Sequence, residues 1–236
     1  MKGQTIIGKD ISKSFGLGKA QVIALDNVDI ILQPGEMTLV KGPSGSGKST
    51  LIAALGGLQK PDEGEVHVGD QQIWSLPRGG IDQFRREKCG FVFQSMGLFP
   101  SLTAFQQIVL PLQYMGFDTK TSEKRAEQML EEVGLGQRRD SRPAQMSGGE
   151  NQRVAIARML AKDPKLIFAD EPTSALDSAN GQIVADLLHR SAKLHDAVVM
   201  CVTHDDRLLT HADRVIEMED GALKTDSRRN GKELEQ

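Results

Sequence analysis

The chain has 236 residues, a net charge of −3 and 39% apolar content, enough for one large domain or two small ones with a sizeable core. That near-neutral balance and an aromatic content of 4% supply neither the basic surface nor the stacking faces of a nucleic-acid binder, and the clusters Arg85-Arg86-Glu87-Lys88, Arg138-Arg139 and Arg228-Arg229 read as solvated faces. No stretch approaches the roughly 18 apolar residues of a membrane span, and the start Met1-Lys2-Gly3-Gln4-Thr5 lacks the apolar run of a signal peptide, so the expectation is a soluble cytosolic chain that reaches any membrane through a partner.

Residues 5–15 and 28–32 alternate roughly as strands, and Pro34-Gly35 turns the chain into a short β-prone run at 37–40. A Gly-rich loop follows, and then residues 49–55 open a helix. Residues 65–68 and 71–73 form a hairpin about Gly69-Asp70. Cys89 and Cys201 each lie in an apolar β-like run and read as buried free thiols; no C-x-x-C or Cys/His cluster suggests a metal site.

The middle changes character. Residues 103–115 are apolar and helical, with Pro111 expected to kink or interrupt them. In residues 121–133, Ala126, Met129, Leu130 and Val133 share one helix face, and Gly134 suits the C-cap. Residues 94–148 thus read as a helical insertion between β-containing parts. Beyond it, a helix at 148–161 precedes a strand at 166–169. A helix with Ile183, Val184, Leu187 and Leu188 on one face precedes a strand at 197–202. This alternation predicts an α/β fold with a mostly parallel core sheet, helices on both faces and an antiparallel β-rich N-terminal part. A last hairpin, 215–218 and 222–225, turns at Asp220-Gly221, and residues 226–236 form a polar tail after a domain spanning 1–225.

Three segments carry chemistry. Gly42-Pro43-Ser44-Gly45-Ser46-Gly47-Lys48-Ser49, followed by Thr50, matches G-x-x-x-x-G-K-[ST] between a strand and a helix. The glycines let backbone N–H groups point at phosphate oxygens, Lys48 adds a point charge near the β/γ-phosphates, and the Ser49 hydroxyl suits Mg²⁺. The bland alternative is a Gly/Ser-rich turn that binds nothing. Asp170-Glu171 ends an apolar strand. In a P-loop fold that places Asp170 where it can reach the metal, directly or through water, and Glu171 where it can polarise an attacking water. His204 ends the next strand, at the same sheet edge. Met146-Ser147-Gly148-Gly149-Glu150 opens a helix. Ser147 and Glu150 suit a capping box, and the two glycines also bare a helix N-terminus suited to an anion. One nucleotide rarely needs two such helix ends from one chain, which points to a dimer in which this tip closes over the other chain's P-loop.

Taken together, Gly42 to Ser49, Gln94, Ser147-Gly148-Gly149, residues 166–171, Ser174-Ala175-Leu176-Asp177 and His204 resemble, in order and spacing, an ABC transporter nucleotide-binding domain over residues 5–224. The resemblance implies the P-loop NTPase fold of the ABC ATPases, with an inserted α-helical subdomain. It also implies ATP and Mg²⁺ as ligands. Phe15 stands at the adenine-stacking position, with Val22 and Ala24 lining the same pocket. Gln94 would touch Mg²⁺ and the water, and would join the helical subdomain to the core. Ser147 and Gly149 would contact the γ-phosphate in trans, with Gly148 between them. Asp177 would organise the dimer seam, and His204 would hold the γ-phosphate and orient Glu171. The family signature usually reads L-S-G-G-Q. Here Met146 keeps the apolar bulk, while Glu150 keeps an acceptor for a ribose hydroxyl but adds charge, with Arg153 nearby to offset it.

Gly56-Gly57-Leu58, Gly90-Phe91-Val92-Phe93-Gln94 and Leu102-Thr103-Ala104 followed by Leu110-Pro111-Leu112 resemble the lipoprotein-release and macrolide-efflux group. That resemblance implies an ATP-hydrolysing homodimer peripheral to the inner face of the cell membrane, energising export or extraction through an integral permease docked near residues 99–115. An alternative within the group is force transmission to a periplasmic enzyme or sensor without transport. A chromosome-type ATPase would need a long heptad insertion, and a kinase would not need Ser147-Gly148-Gly149.

Overall fold

A computed structural model describes residues 4–16, 18–77 and 79–228. The N-terminal part holds β1 (Ile6–Phe15), β2 (Val22–Leu32), β3 (Met37–Lys41), α1 (Lys48–Leu55), β4 (Glu63–Val68) and β5 (Gln71–Gln72). Next come α2 (Gly80–Lys88), β6 (Cys89–Val92), α3 (Ala104–Tyr114), α4 (Thr119–Glu132) and α5 (Gly148–Leu160). The last part holds β7 (Leu166–Asp170), α6 (Ser178–His195), β8 (Val198–Val202), α7 (Asp206–Leu209), β9 (Arg214–Glu219) and β10 (Ala222–Arg228).

Two sheets organise these elements. The first is antiparallel, in the order β2-β1-β4-β5, with Ile6 opposite Leu32 and Phe15 opposite Val22. The second has the order β10-β9-β3-β8-β7-β6. Its neighbours from β9 to β6 pair in parallel, and only β10 joins antiparallel at the edge. Strands β3, β7 and β8 are buried on both faces, which is why they read as mainly apolar runs rather than as alternation; in β3 the buried Thr38 hydroxyl donates to Glu36 Oε1 at 3.0 Å. On one face Val40, Phe168 and Met200 pack with Leu51, Ile52 and Leu55 of α1 and with Ile6, Leu25 and Val66 of the antiparallel sheet. On the other, Leu39, Ile167 and Cys201 pack with Val184 and Leu188 of α6 and Ile156 of α5. Both cysteines are free and buried, and burial pushes each thiol up to about 12.

The helical part has its own core of Ile108, Leu112, Ala126, Leu130, Val133, Val154 and Ala157. Helix α4 starts on the Asp118 cap and stops at a Schellman motif. There Leu135 N–H reaches the Leu130 carbonyl at 2.7 Å, Gly134 N–H reaches that of Glu131 at 2.9 Å, and Gly134 takes φ 70°.

Several sequence expectations need adjustment. Strand β2 begins at Val22, not at residue 28. Helix α2, whose Phe84 alone is buried, occupies a segment read only as a charged face. Helix α3 continues through Pro111. The proline removes one N–H, but Met115 N–H still bonds the Pro111 carbonyl at 3.0 Å, and Ile108 and Leu112 remain locked in the core on either side. Strand β10 runs to Arg228, so residues 226–228 belong to the sheet, and residues 229–236 of the expected tail lie outside the described residues.

The hairpin turn between β9 and β10 also bears on the site. Asp220 and Gly221 take φ 48° and 79°, the signs that a two-residue type I′ turn requires. Gly221 N–H bonds the Ser46 carbonyl at 3.3 Å, and its own carbonyl accepts from Asp26 N–H at 3.0 Å.

Candidate functional site

The loop from Gly42 to Gly47 connects the C-terminal end of β3 to the N-terminus of α1. Gly47 has φ 97°, and a Cβ there would lie 2.1 Å from the Ala24 carbonyl oxygen of β2. At Gly42, φ is 145° and a Cβ would come 2.1 Å from the Met218 carbonyl oxygen of β9. Both positions therefore exclude any side chain, and the loop is wedged between the two sheets. The Lys48 ammonium donates to the Gly42 and Pro43 carbonyls, each at 2.7 Å, and to Ser46 Oγ at 3.3 Å. Its side chain is buried, and desolvation lowers its pKa while the charges of Asp170 and Glu171 act the other way.

Parallel pairing brings the other groups to this edge. Asp170 pairs with Val202, and Val202 with Val40, so the ends of β7, β8 and β3 are level. Ser49 Oγ donates to Asp170 Oδ2 at 2.7 Å, a hydroxyl and a carboxylate that fit a hard cation. Glu171 sits just beyond the strand with φ 52°, a left-handed backbone that costs an ordinary residue about 1–2 kcal/mol. Its N–H donates to the Val202 carbonyl at 2.8 Å. Its carbonyl accepts from Gln152 Nε2 at 3.0 Å and Ser174 Oγ at 3.1 Å. The carboxylate accepts from Thr203 Oγ1 at 3.3 Å, and His204 Nε2 lies 3.9 Å from its other oxygen. His204 itself is exposed.

Gln94 is exposed, two residues past the end of β6, the strand beside β7. Arg158 of α5 holds the loop it opens, donating to the Met96 and Gly97 carbonyls at 2.6 and 2.7 Å. Phe15 and Val22 form an exposed cross-strand pair, and Lys13 Nζ lies 5.9 Å from the centre of the Phe15 ring. Ala24, on the same face of β2 as Val22, is buried where its carbonyl meets Gly47.

The Ser147 tip lies apart from these groups. Ser147 Oγ accepts from Glu150 N–H at 3.1 Å, and Glu150 Oε2 accepts from Ser147 N–H at 2.8 Å, a reciprocal capping box. The other Glu150 oxygen accepts from Arg138 Nε at 3.0 Å. The Ser147 N–H bond leads the effects that hold the Glu150 carboxyl below its usual range. Arg138, not Arg153, is thus the cation that offsets Glu150. A cavity of about 610 Å³ opens at this tip, lined by Ser147, Gly149, Glu150, Arg153, Leu176 and Asp177 among others. Arg153 is largely buried, and its Nε has no hydrogen-bond partner among the described residues. Asp177 caps α6, and its hydrogen bonds from Asn180 lower its pKa.

The sequence reading had no role for Thr203, Gln152 or Arg138. Thr203 and Gln152 are wholly buried; Thr203 adjoins the apolar run 198–202, which is the signal the sequence offers for it, whereas Gln152 stands between Asn151 and Arg153 and offers none. Arg138 had only its charge.

A P-loop wedged between an antiparallel sheet and a parallel sheet, with acids at the adjoining strand end, defines a nucleotide-binding P-loop protein. The family model described as "ABC transporter" matches residues 25–174. The chain is 43% identical over 215 residues to a macrolide export ATP-binding/permease protein of Wolinella succinogenes, covering 91% of this chain but 33% of that one. It is 41% identical to an uncharacterized ABC transporter ATP-binding protein of Methanocaldococcus jannaschii, covering 92% of this chain and 97% of the relative. Among solved structures it is similar to the ATP-binding cassette MJ0796, described as dimeric in a post-hydrolysis state bound to ADP and Pi. The TM-score is 0.91 at 37% identity, with 96% of this chain and 99% of that chain covered. The chain belongs to the ABC transporter family, as an ATP-binding cassette. No helix among the described residues is long and apolar enough to cross a membrane.

Proposed function

We propose that this chain binds and hydrolyses ATP as one half of a head-to-tail homodimer, and that closure of the dimer drives a membrane permease that exports or extracts a substrate. The observation that carries the reading is that one chain presents two separate phosphate-suited helix ends, that of α1 behind the P-loop and that of α5 at Ser147. In the dimer each triphosphate lies between the P-loop of one chain and the Ser147-Gly148-Gly149 tip of the other. Phe15 stacks on the base, with Val22 and Ala24 beside it. Backbone N–H groups of the loop at residues 42–50, Pro43 excepted because it has none, and the Lys48 ammonium hold the β/γ-phosphates. Asp177 lies at the seam between the chains.

Among the described residues no cluster of three or more His, Cys, Asp or Glu suits a metal. A Mg²⁺ at Ser49, Asp170 and Gln94 would take its remaining ligands from phosphate and water, and would neutralise charge on the β/γ-phosphates. Glu171 orients and polarises the attacking water: as the water's oxygen bonds to the γ-phosphorus, the bond from that phosphorus to the β–γ bridging oxygen breaks and ADP leaves, while the water's proton passes toward the Glu171 carboxylate. His204, beside that carboxylate, steadies it and the γ-phosphate. The exposed apolar side chains Phe93, Phe99, Leu110 and Tyr114 support a permease contact around α3. The chain would then work peripherally, at the cytoplasmic face of the membrane.

Glu171→Gln tests the scheme. It should abolish turnover while leaving an ATP-bound dimer that elutes as such on sizing chromatography. An ATP-loaded variant that elutes only as monomer removes the two-chain site.

A further inference from the structure

We infer that Gln152 is a positioning residue for Glu171, and that through it helix α5 ties the nucleotide site it closes in the partner chain to the hydrolytic site of its own chain; this rests on the paired arrangement proposed above.

Gln152 is wholly buried, so both ends of its amide must be satisfied. They are: Nε2 donates to the Glu171 carbonyl at 3.0 Å, and Oε1 accepts from Ala175 N–H at 3.1 Å. The carbonyl only accepts and the N–H only donates, so the amide has one orientation. It therefore spans the turn that carries Glu171 out of β7. Glu171 holds a left-handed φ of 52°, a conformation that persists only where its surroundings over-determine it. Gln152 and Ser174 Oγ fix its carbonyl, and the Val202 carbonyl fixes its N–H.

The same helix begins at Ser147, five residues before Gln152. At about 1.5 Å per residue, the tip and the amide stand less than two turns apart on one rigid rod. A displacement of the tip as it meets the partner's triphosphate is transmitted to the backbone that aims the Glu171 carboxylate. A side chain that merely filled space would serve the packing as well as Gln152, but it would leave Ala175 N–H unpaired and the Glu171 carbonyl held by Ser174 Oγ alone.

The test separates the two roles of α5 by chain. A trace of one chain is mixed with an excess of a Glu171→Gln chain, so that nearly every intact Glu171 sits in a mixed dimer, and ATP hydrolysis is measured. The control uses wild type as the trace chain. In the first arm the trace chain carries Gln152→Met, which has similar bulk and no amide. In the second the trace chain is wild type, and the excess chain carries Gln152→Met together with Glu171→Gln. The first arm should fall by about ten- to a hundredfold from the control, the scale of a small misplacement of a catalytic group. The second should stay within about twofold, and Gln152→Glu should reproduce the first arm. Equal losses in both arms, whether through misfolding or damage in trans, overturn the inference, as does a first arm that keeps the control rate. A control no faster than the same trace of wild type alone defeats the two-chain reading itself, and the inference with it.

Discussion

Replacing Glu150 by Gln would give this chain the usual family residue, and the structure states what that change removes. Each carboxylate oxygen has its own partner: Oε2 takes Ser147 N–H at 2.8 Å and Oε1 takes Arg138 Nε at 3.0 Å. An amide has one oxygen. If it keeps the capping bond, its NH₂ group faces the guanidinium and the Arg138 contact is lost. The pair is partly exposed, worth about 0.2–1 kcal/mol, and a carboxylate in the first turn of a helix adds about 0.3–1 kcal/mol against the macrodipole. The sum is about 0.5–2 kcal/mol, or a melting temperature lower by roughly 1–8 °C for a domain of this size. Closure over a second nucleotide should move the other way, because the substitution removes a negative charge and frees Arg138 beside the docking triphosphate. Thermal melts without nucleotide, and the ATP concentration needed for half-maximal dimer in the Glu171→Gln background, measure the two effects separately. A double-mutant cycle with Arg138→Gln should give a coupling of about 0.2–1 kcal/mol. Zero coupling, or a dimer that needs more ATP, refutes the reasoning.

Gly47→Ala should abolish nucleotide binding and lower the melting temperature, because its Cβ would lie 2.1 Å from a backbone oxygen at φ 97°; wild-type binding in an equilibrium titration contradicts this. Lys48→Ala should weaken ATP binding by at least about tenfold, as expected of a lost charge-assisted contact, and unchanged affinity by calorimetry counts against the phosphate assignment. Hydrogen bonds from Arg207, with help from Thr173, hold Asp205 down to about 2 against an ordinary 3.8. The folded form thus binds its proton less readily than the unfolded form. The stabilisation is complete above about pH 4 and is lost as the pH falls toward 2. Asp205→Asn should flatten melting temperature against pH over that interval, and an unchanged slope excludes this carboxylate as a source of acid sensitivity.

How legible each part was follows from how local its cause is. The P-loop, the capping box at Ser147 and the C-cap at Gly134 are set by neighbours within a few residues, and so they can be read along the chain. The central strands were readable because burial on both faces demands apolar runs. The start of β2 was not, because Asp26 and Asn27, the latter at φ 52°, look like a turn yet sit in a strand with register shifts. Helix α2 buries one side chain, Phe84, and follows a Pro- and Gly-rich stretch, so its sequence resembles a loop. Pro111 misled because its penalty is local while the packing that outweighs it is tertiary. Arg138, the second partner of Glu150, and Gln152, a partner of Glu171, were out of reach for the same reason: Arg138 lies 12 residues from Glu150, and Gln152 lies 19 from Glu171. No periodicity announces such contacts.

The bend at Asp220-Gly221 grips Ser46 on one side and Asp26 on the other, so a feature made near the end of the chain serves as the clasp for one made near its beginning. During synthesis on the ribosome the glycine cradle therefore waits, unfastened, until residues 220–221 have emerged, and nascent chains stopped before that bend should be poor at retaining nucleotide even though every residue of the cradle is already present.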